Sequence, residues 1–206
     1  VLKLAVIGTF FERYDQSRDC IRRVLESTKQ PDEFWIMCET EEDAANARQV
    51  IKDGIVVLRT PTTDGEYSVI PYSNKINWAL DHSKADLFVY LDNGSMPHKD
   101  KYNIMYKTLV DNPDWQAVYC SQHRTGFQDL VHLAEEPIPD PYAKVNYTQV
   151  MHRKTNKRWT LDMQHATPND LADALFWRSL ETTFYPVPTT DILDVHNMES
   201  EKASGL

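Results

Sequence analysis

The sequence predicts an α/β protein with a mostly parallel central sheet flanked by helices. Three observations predict it. Short apolar runs alternate with segments of helical spacing through the first half of the chain, as strand–helix–strand crossovers do. The run Leu87-Phe88-Val89-Tyr90-Leu91 is unbroken and stops at Asp92, as a strand buried on both faces would. Three predicted strands end in polar residues, at Thr9 to Arg13, Glu39 and Asp92. A parallel sheet collects such ends on one edge, where open α/β sheets take their ligands.

In order, Leu4 to Ile7 reads as the first strand, ending at Gly8-Thr9-Phe10. Asp15 or Ser17 can cap a helix that carries Cys20, Ile21, Val24 and Leu25, all at helical spacing. Phe34 to Cys38 is a second strand, and an Ala-rich helix runs from about Glu42 to Lys52 with Gly54 at its C′ position. Ile55 to Leu58 is a third strand, Thr60 to Pro71 a loop, and Asn74 to His82 a short helix before the Asp92 strand. Asn93-Gly94 breaks that strand. Asp92 can therefore serve a ligand site or merely cap the turn that follows.

The rhythm then changes. Lys99 to Val110 reads as a helix and Ala117 to Cys120 as a strand, with short strands near Leu130 to Leu133 and Tyr147 to Met151 around a proline-rich loop. Thr167-Pro168-Asn169-Asp170 opens a helix reaching about Leu180, with threonine as N-cap, proline at N1 and a carboxylate at N3. Phe184 to Pro188 and Asp191 to His196 follow, and 200–206 reads as a frayed tail.

Composition narrows the function. At 206 residues, 41% hydrophobic and 26% charged, the chain suits one domain with a substantial core. A net charge of −9 argues against non-specific duplex DNA binding, although His152-Arg153-Lys154 and Lys157-Arg158 form a local basic cluster. The three cysteines, Cys20, Cys38 and Cys120, form no CxxC and sit beside apolar residues. They read as buried reduced thiols of a cytoplasmic protein. No apolar run approaches membrane-spanning length, and no signal peptide is visible.

Taken together, these residues resemble a GT-A (Rossmann-like) glycosyltransferase of the family 2 type. The stretch from Val6 to Arg13 resembles that family's first strand and nucleotide-binding loop, and Trp35 to Glu39 its second strand, whose terminal acid contacts the base. Ser73 to Leu80 resembles the helix that turns a basic residue and an Asn toward the diphosphate, here Lys75 and Asn77. Leu91-Asp92-Asn93-Gly94-Ser95 occupies the place of the DXD metal motif, and His196 resembles the C-terminal metal-ligand histidine. Asp170 or Asp173 falls where the family has its catalytic acid.

The resemblance implies an inverting, hexosyltransferase-class enzyme using a nucleotide-diphospho-sugar, UDP-sugar favoured. It implies Thr9, Phe10, Glu12, Arg13, Glu39, Lys75, Asn77, Asp92 and Asn93 at the nucleotide. Mn²⁺ or Mg²⁺ would sit on Asp92 and His196. It implies one domain over 1–199, with a nucleotide-binding half at 1–95 and an acceptor and catalytic half at 96–199. The compact form suits a bacterial or phage enzyme. The acceptor, whether glycan, protein or modified nucleic acid, stays open.

One departure matters. The motif's second Asp is replaced by Gly94, so a site built on hard oxygen ligands would be weak and dependent on the diphosphate. Metal-independent action, with Lys75 or Arg13 neutralising phosphate, stays open. Bland readings stand beside the functional ones: Glu39 and Lys75 as solvated charges, His196 as a packed residue, Trp78 and Trp159 as core.

Of the two aspartates, Asp170 already has a structural role as the helix-start acid. Asp173 borders the stripe of Leu171, Ala172, Leu175, Phe176 and Leu180. A partly desolvated carboxylate there would have a raised pKa, which suits a general base, so Asp173 is favoured. A rival reading, a sugar nucleotidyltransferase, predicts a Gly- and Arg-rich loop after the first strand. Gly8 to Arg13 holds one Gly and one late Arg. A second rival is a non-catalytic nucleotide- or glycan-binding module with a degenerate metal site.

Overall fold

The computed structural model describes residues 1–10, 13–51, 56–59, 69–126, 129–142, 144–159 and 172–197. The expected positions Glu12, Gly54 and Asp170 and the tail at 200–206 lie outside them. Strands β1 (Leu4–Phe10), β2 (Glu33–Cys38), β3 (Val56–Arg59) and β4 (Leu87–Asp92) alternate with helices α1 (Tyr14–Leu25), α2 (Glu41–Arg48) and α3 (Val69–His82). β5 (Ser95–Pro97), α4 (Lys101–Asp111), β6 (Ala117–Tyr119), β7 (Ser121–Thr125) and β8 (Leu130–His132) follow. A 3₁₀ turn at Tyr147–Gln149 leads into β9 (Val150–Arg153), then α5 (Ala172–Ser179), β10 (Phe184–Pro186) and β11 (Ile192–Asn197).

The main sheet has seven strands in the order β10-β6-β9-β4-β1-β2-β3. Strands β4, β1, β2 and β3 run parallel, while β9 lies antiparallel between β4 and β6. The unbroken apolar runs follow from burial on both faces. Leu87, Val89 and Leu91 enter the core under α1, α2 and α4, and Phe88 and Tyr90 enter the one under α3 and α5. All three cysteines are buried and free. Burial pushes the Cys38 and Cys120 thiols up to about 12.

Four features depart from the expected elements. α1 starts at Tyr14 with Arg13 at its N-cap position and no side-chain cap, so Asp15 and Ser17 lie inside the helix and neither caps it. α3 is already helical at Val69, inside the expected loop, and contains Pro71. The segment 147–151 divides into the 3₁₀ turn and β9, because the Asn146 side chain accepts from Thr148 N–H and Gln149 reaches back to Asn146. A second sheet, β5-β11-β7-β8, forms beside the end of β4. Its strands are three to six residues long, and β11, which joins β5 to β7, is distant in sequence from both.

Candidate active site

Sheet register brings Thr9 opposite Asp92 and Phe10 opposite Cys38, so the ends of β1, β2 and β4 share one edge. At that edge Asp92 serves both readings, one with each oxygen. Its Oδ1 accepts from the Gly94 N–H at 2.9 Å and the Ser95 hydroxyl at 2.8 Å, closing the β4–β5 turn. Its Oδ2 accepts from the Tyr147 hydroxyl and lies 3.7 Å from His196 Nδ1.

His196 is 5% exposed, and its Nδ1 is buried without a hydrogen-bond partner. An orphaned buried nitrogen is costly. At 3.7 Å the gap to Asp92 is too long for a hydrogen bond and short enough for one ion to touch both atoms. The pair therefore fits a divalent cation as two ligands of an incomplete set, with the remaining oxygens left to a diphosphate. Among the described residues no group of three or more His, Cys, Asp and Glu side chains could hold an ion by itself.

The missing second aspartate has a steric cause. A Cβ at Gly94 would lie 2.8 Å from the Asn197 carbonyl oxygen and 3.4 Å from His196 Nε2. The Asn197 N–H in turn donates to the Gly94 carbonyl at 2.9 Å. The close approach of β11 that brings His196 to Asp92 leaves no room for a side chain at 94.

Asp173 lies on α5 and accepts from the Ala174 N–H at 2.9 Å. Burial raises its carboxyl above the usual aspartate range, against the opposing pull of backbone N–H groups, including that of Tyr147, and of the Arg124 charge. The desolvation is as expected, but its setting differs: α5 buries Ala172, Ala174, Phe176 and Trp177, with Leu175 only half-buried, so Asp173 lies within the buried face and not at the border of the expected stripe.

Other expected residues have partners of their own. Lys75 is 4% exposed, and its Nζ lies 3.0 Å from Glu39 Oε2, so the two form an ion pair at the edge. Both ends of the Asn77 amide hold the Trp159 backbone, at 2.8 Å each. The Phe10 ring is buried and covers Gly8, where a Cβ would come within 2.5 Å of it. Arg13 precedes α1 with φ 48°, a left-handed conformation uncommon for a non-glycine residue. Asn93 is half-buried in the β4–β5 turn. Trp159 is buried against Tyr90, Phe176 and Trp177 and belongs to the core.

Two site residues carry no sequence signal of their own. Tyr147 touches Asp92 through its hydroxyl, and its backbone N–H is among the groups that favour the charged form of Asp173. Arg124, on β7 opposite His196, acts on Asp173 through its charge. The capping pattern of Asn146 and Gln149 marks the turn that begins at Tyr147, but not the distant strand end that the turn faces.

Solved structures share this arrangement of elements. S. aureus TarS 1-349 superposes with a TM-score of 0.71 at 11% identity, over 95% of this chain and 60% of that one. Its complex with UDP gives 0.70 at 11% identity over 96% and 61%, and its complex with UDP-GlcNAc 0.69 at 12% over 95% and 58%. The chain has a GT-A fold. The curated protein CgeD of Bacillus subtilis (strain 168) is 23% identical over 213 residues, which cover 93% of this chain. The chain spans about half the length of CgeD, at 49%. No family model matches it. Among the described residues no helix is long and apolar enough to cross a membrane.

Proposed function

We propose that this GT-A chain is an inverting glycosyltransferase whose donor is a nucleotide-diphospho-sugar, with a UDP-sugar favoured, and that a divalent cation held by Asp92 and His196 assists it. One observation carries the reading. The orphaned His196 Nδ1 faces Asp92 at 3.7 Å at the edge where the ends of β1, β2 and β4 meet. The UDP and UDP-GlcNAc complexes of TarS, which shares the fold, favour the choice of donor. Buried free thiols fit a reducing, cytoplasmic setting.

In this reading Asp173 accepts the proton of an acceptor hydroxyl as its oxygen bonds to the anomeric carbon. The bond from that carbon to the diphosphate breaks on the opposite face, which inverts the configuration. Thr9, at the end of β1, lies beside the donor. The Lys75–Glu39 pair leaves Glu39, the less buried partner, as the group turned to the nucleoside. A bound Mn²⁺ or Mg²⁺ would supply charge neutralisation of the leaving diphosphate.

Thermal shift with UDP and UDP-GlcNAc, each with and without Mn²⁺, tests the proposal. Saturation at a hundredfold excess over Kd stabilises by about 2.7 kcal/mol, which is roughly 5–10 °C in Tm at this size. Asp92→Asn and His196→Ala remove the Mn²⁺-dependent part of the shift. No shift with any nucleoside diphosphate, with or without metal, refutes nucleotide binding.

A metal-free or non-catalytic binding module is the second reading. It is favoured by the Tyr147 hydroxyl already on Asp92 Oδ2 and by the crowding at Gly94. A UDP shift that EDTA leaves unchanged, with no donor turnover, selects it.

A further inference from the structure

Behind the site lies a buried polar cluster that the proposed chemistry does not use. Lys101, the first residue of α4, and Asp194, on β11, are both fully buried, with Nζ 2.9 Å from Oδ1. The same ammonium donates to the Thr148 carbonyl at 2.7 Å. The other oxygen, Asp194 Oδ2, accepts from Gln122 Nε2 at 2.6 Å and lies 3.0 Å from the Thr148 hydroxyl. Gln122 Nε2 also donates to the Thr148 hydroxyl at 2.8 Å, and Gln122 Oε1 accepts from Arg124 Nε at 3.1 Å. Burial disfavours the Lys101 ammonium, but the Asp194 carboxylate outweighs that and raises the lysine's pKa.

Three of its four members, Asp194, Thr148 and Gln122, lie one or two residues from a residue that lines the site, and Lys101 joins them from α4. Asp194 precedes His196 by two positions, on the same buried face of β11. Thr148 follows Tyr147, and Gln122 precedes Arg124 on β7. Four elements of different sequence origin, α4, β7, the 3₁₀ turn and β11, meet at this cluster. They are the elements that must be in register for His196, Tyr147 and Arg124 to face Asp92 and Asp173.

We infer that Lys101, Asp194, Gln122 and Thr148 are positioning residues, joined into one buried hydrogen-bonded network that fixes His196 and Tyr147 against Asp92. A buried ion pair contributes little net stability, because desolvation of the two charges offsets their attraction. Its geometry is nonetheless restrictive, since every donor and acceptor must be met in a dry interior. The inference rests on the proposed site for its functional meaning, but its structural content can be read without a ligand.

The experiment compares four variants with the parent. Thr148→Val removes the hydroxyl at constant shape, and Thr148→Ser restores it. Lys101→Met combined with Asp194→Leu removes both charges together, so no lone buried charge opposes folding. Ile36→Val, in the core of β2, is the control for general loosening. The first readout is carbethoxylation of His196 by diethylpyrocarbonate, followed by peptide mass mapping. The second is UDP affinity with and without Mn²⁺.

His196 is shielded in the parent, in Thr148→Ser and in Ile36→Val. In Thr148→Val and the double variant it reacts about tenfold faster or more, and the Mn²⁺-dependent gain in UDP affinity falls about tenfold, the scale on which groups supporting metal ligands act. UDP affinity without metal stays at the parent value. If both network variants fold with His196 as shielded as in the parent and metal dependence intact, the positioning role is wrong. If Ile36→Val exposes His196 equally at equal loss of Tm, the cluster is ordinary core and the inference fails. The carbethoxylation arm needs no ligand. Absence of UDP binding by the parent therefore counts against the proposed function alone, and that arm still decides the positioning role.

Discussion

The Tyr147 hydroxyl donates to Asp92 Oδ2, the oxygen that also faces the orphaned His196 Nδ1. A cation on that oxygen competes with the hydroxyl for the same lone pairs. Tyr147→Phe should therefore tighten Mn²⁺ binding in the presence of UDP by several-fold. It should also cost stability, since a hydrogen bond to a charged group is worth about 1.5–3 kcal/mol. Titration calorimetry and Tm read the two effects; weaker Mn²⁺ binding would instead mean that the hydroxyl orients Asp92 as a ligand.

Gly94→Asp rebuilds the missing aspartate of the usual metal motif, yet it should not rebuild a metal site. The new Cβ would meet the Asn197 carbonyl at 2.8 Å, and backbone would have to move. The expected outcome is a loss of about 1–3 kcal/mol, as for other overpacked positions, with Mn²⁺ affinity no better than that of the parent. A tighter site in a variant of parental stability would show that β11 yields easily.

Asp173→Asn should leave UDP affinity within a few-fold of the parent while slowing transfer by ~10²–10⁴, the usual range for a general base. Stability should move the other way. The folded-state pKa of Asp173 is raised, so its stabilising contribution is full below about pH 3.9, the unfolded value, and is lost as pH rises through the folded value. At neutral pH the charged form opposes folding, and Asp173→Asn should raise Tm. The acid limb of the rate profile should also lie above the ordinary aspartate range. If Asp170→Asn abolishes turnover while Asp173→Asn keeps it, the base is the earlier aspartate.

His152 gives a stability signature independent of function. Its Nδ1 lies 2.8 Å from the Arg153 carbonyl oxygen, which only accepts, so Nδ1 carries the proton and Nε2 accepts from the Tyr90 hydroxyl at 2.9 Å. Burial among Phe88, Tyr90, Phe176 and Trp177 pushes its pKa down to about 4. Against an unfolded value near 6.5, the unfolded state binds the extra proton first. The neutral imidazole's contribution is thus full above about pH 6.5 and is lost progressively toward pH 4, by about 3 kcal/mol in all. Unfolding followed from pH 4 to 7 should show that loss, and His152→Phe should flatten it.

The sequence alone determined the parallel strands of the main sheet and the edge at which their polar ends collect. Each run such as Leu87 to Leu91 is apolar on both alternating faces, and only a strand covered on two sides accommodates that pattern. Its end at Asp92 follows from the Asn93-Gly94 break, a local signal. The helical projection foresaw a desolvated Asp173 but not the face that is buried, because Ala174 and Trp177 are covered where Leu175 was expected to be.

The partnerships were decided by tertiary structure alone. Lys75 reads as a free cation in sequence and is paired with Glu39, which lies 36 positions away. Asn77 reads as a ligand contact and holds Trp159, 82 positions on. Tyr147 reads as a strand residue and reaches Asp92 across 55 positions. The loss of the second aspartate reads as a weakened motif, and in the fold it is what lets β11 approach. Side-chain periodicity reports which face of an element is buried. It carries no record of which distant element covers that face, and at this site the covering elements set the partners and charge balance of Asp92, Asp173 and Lys75.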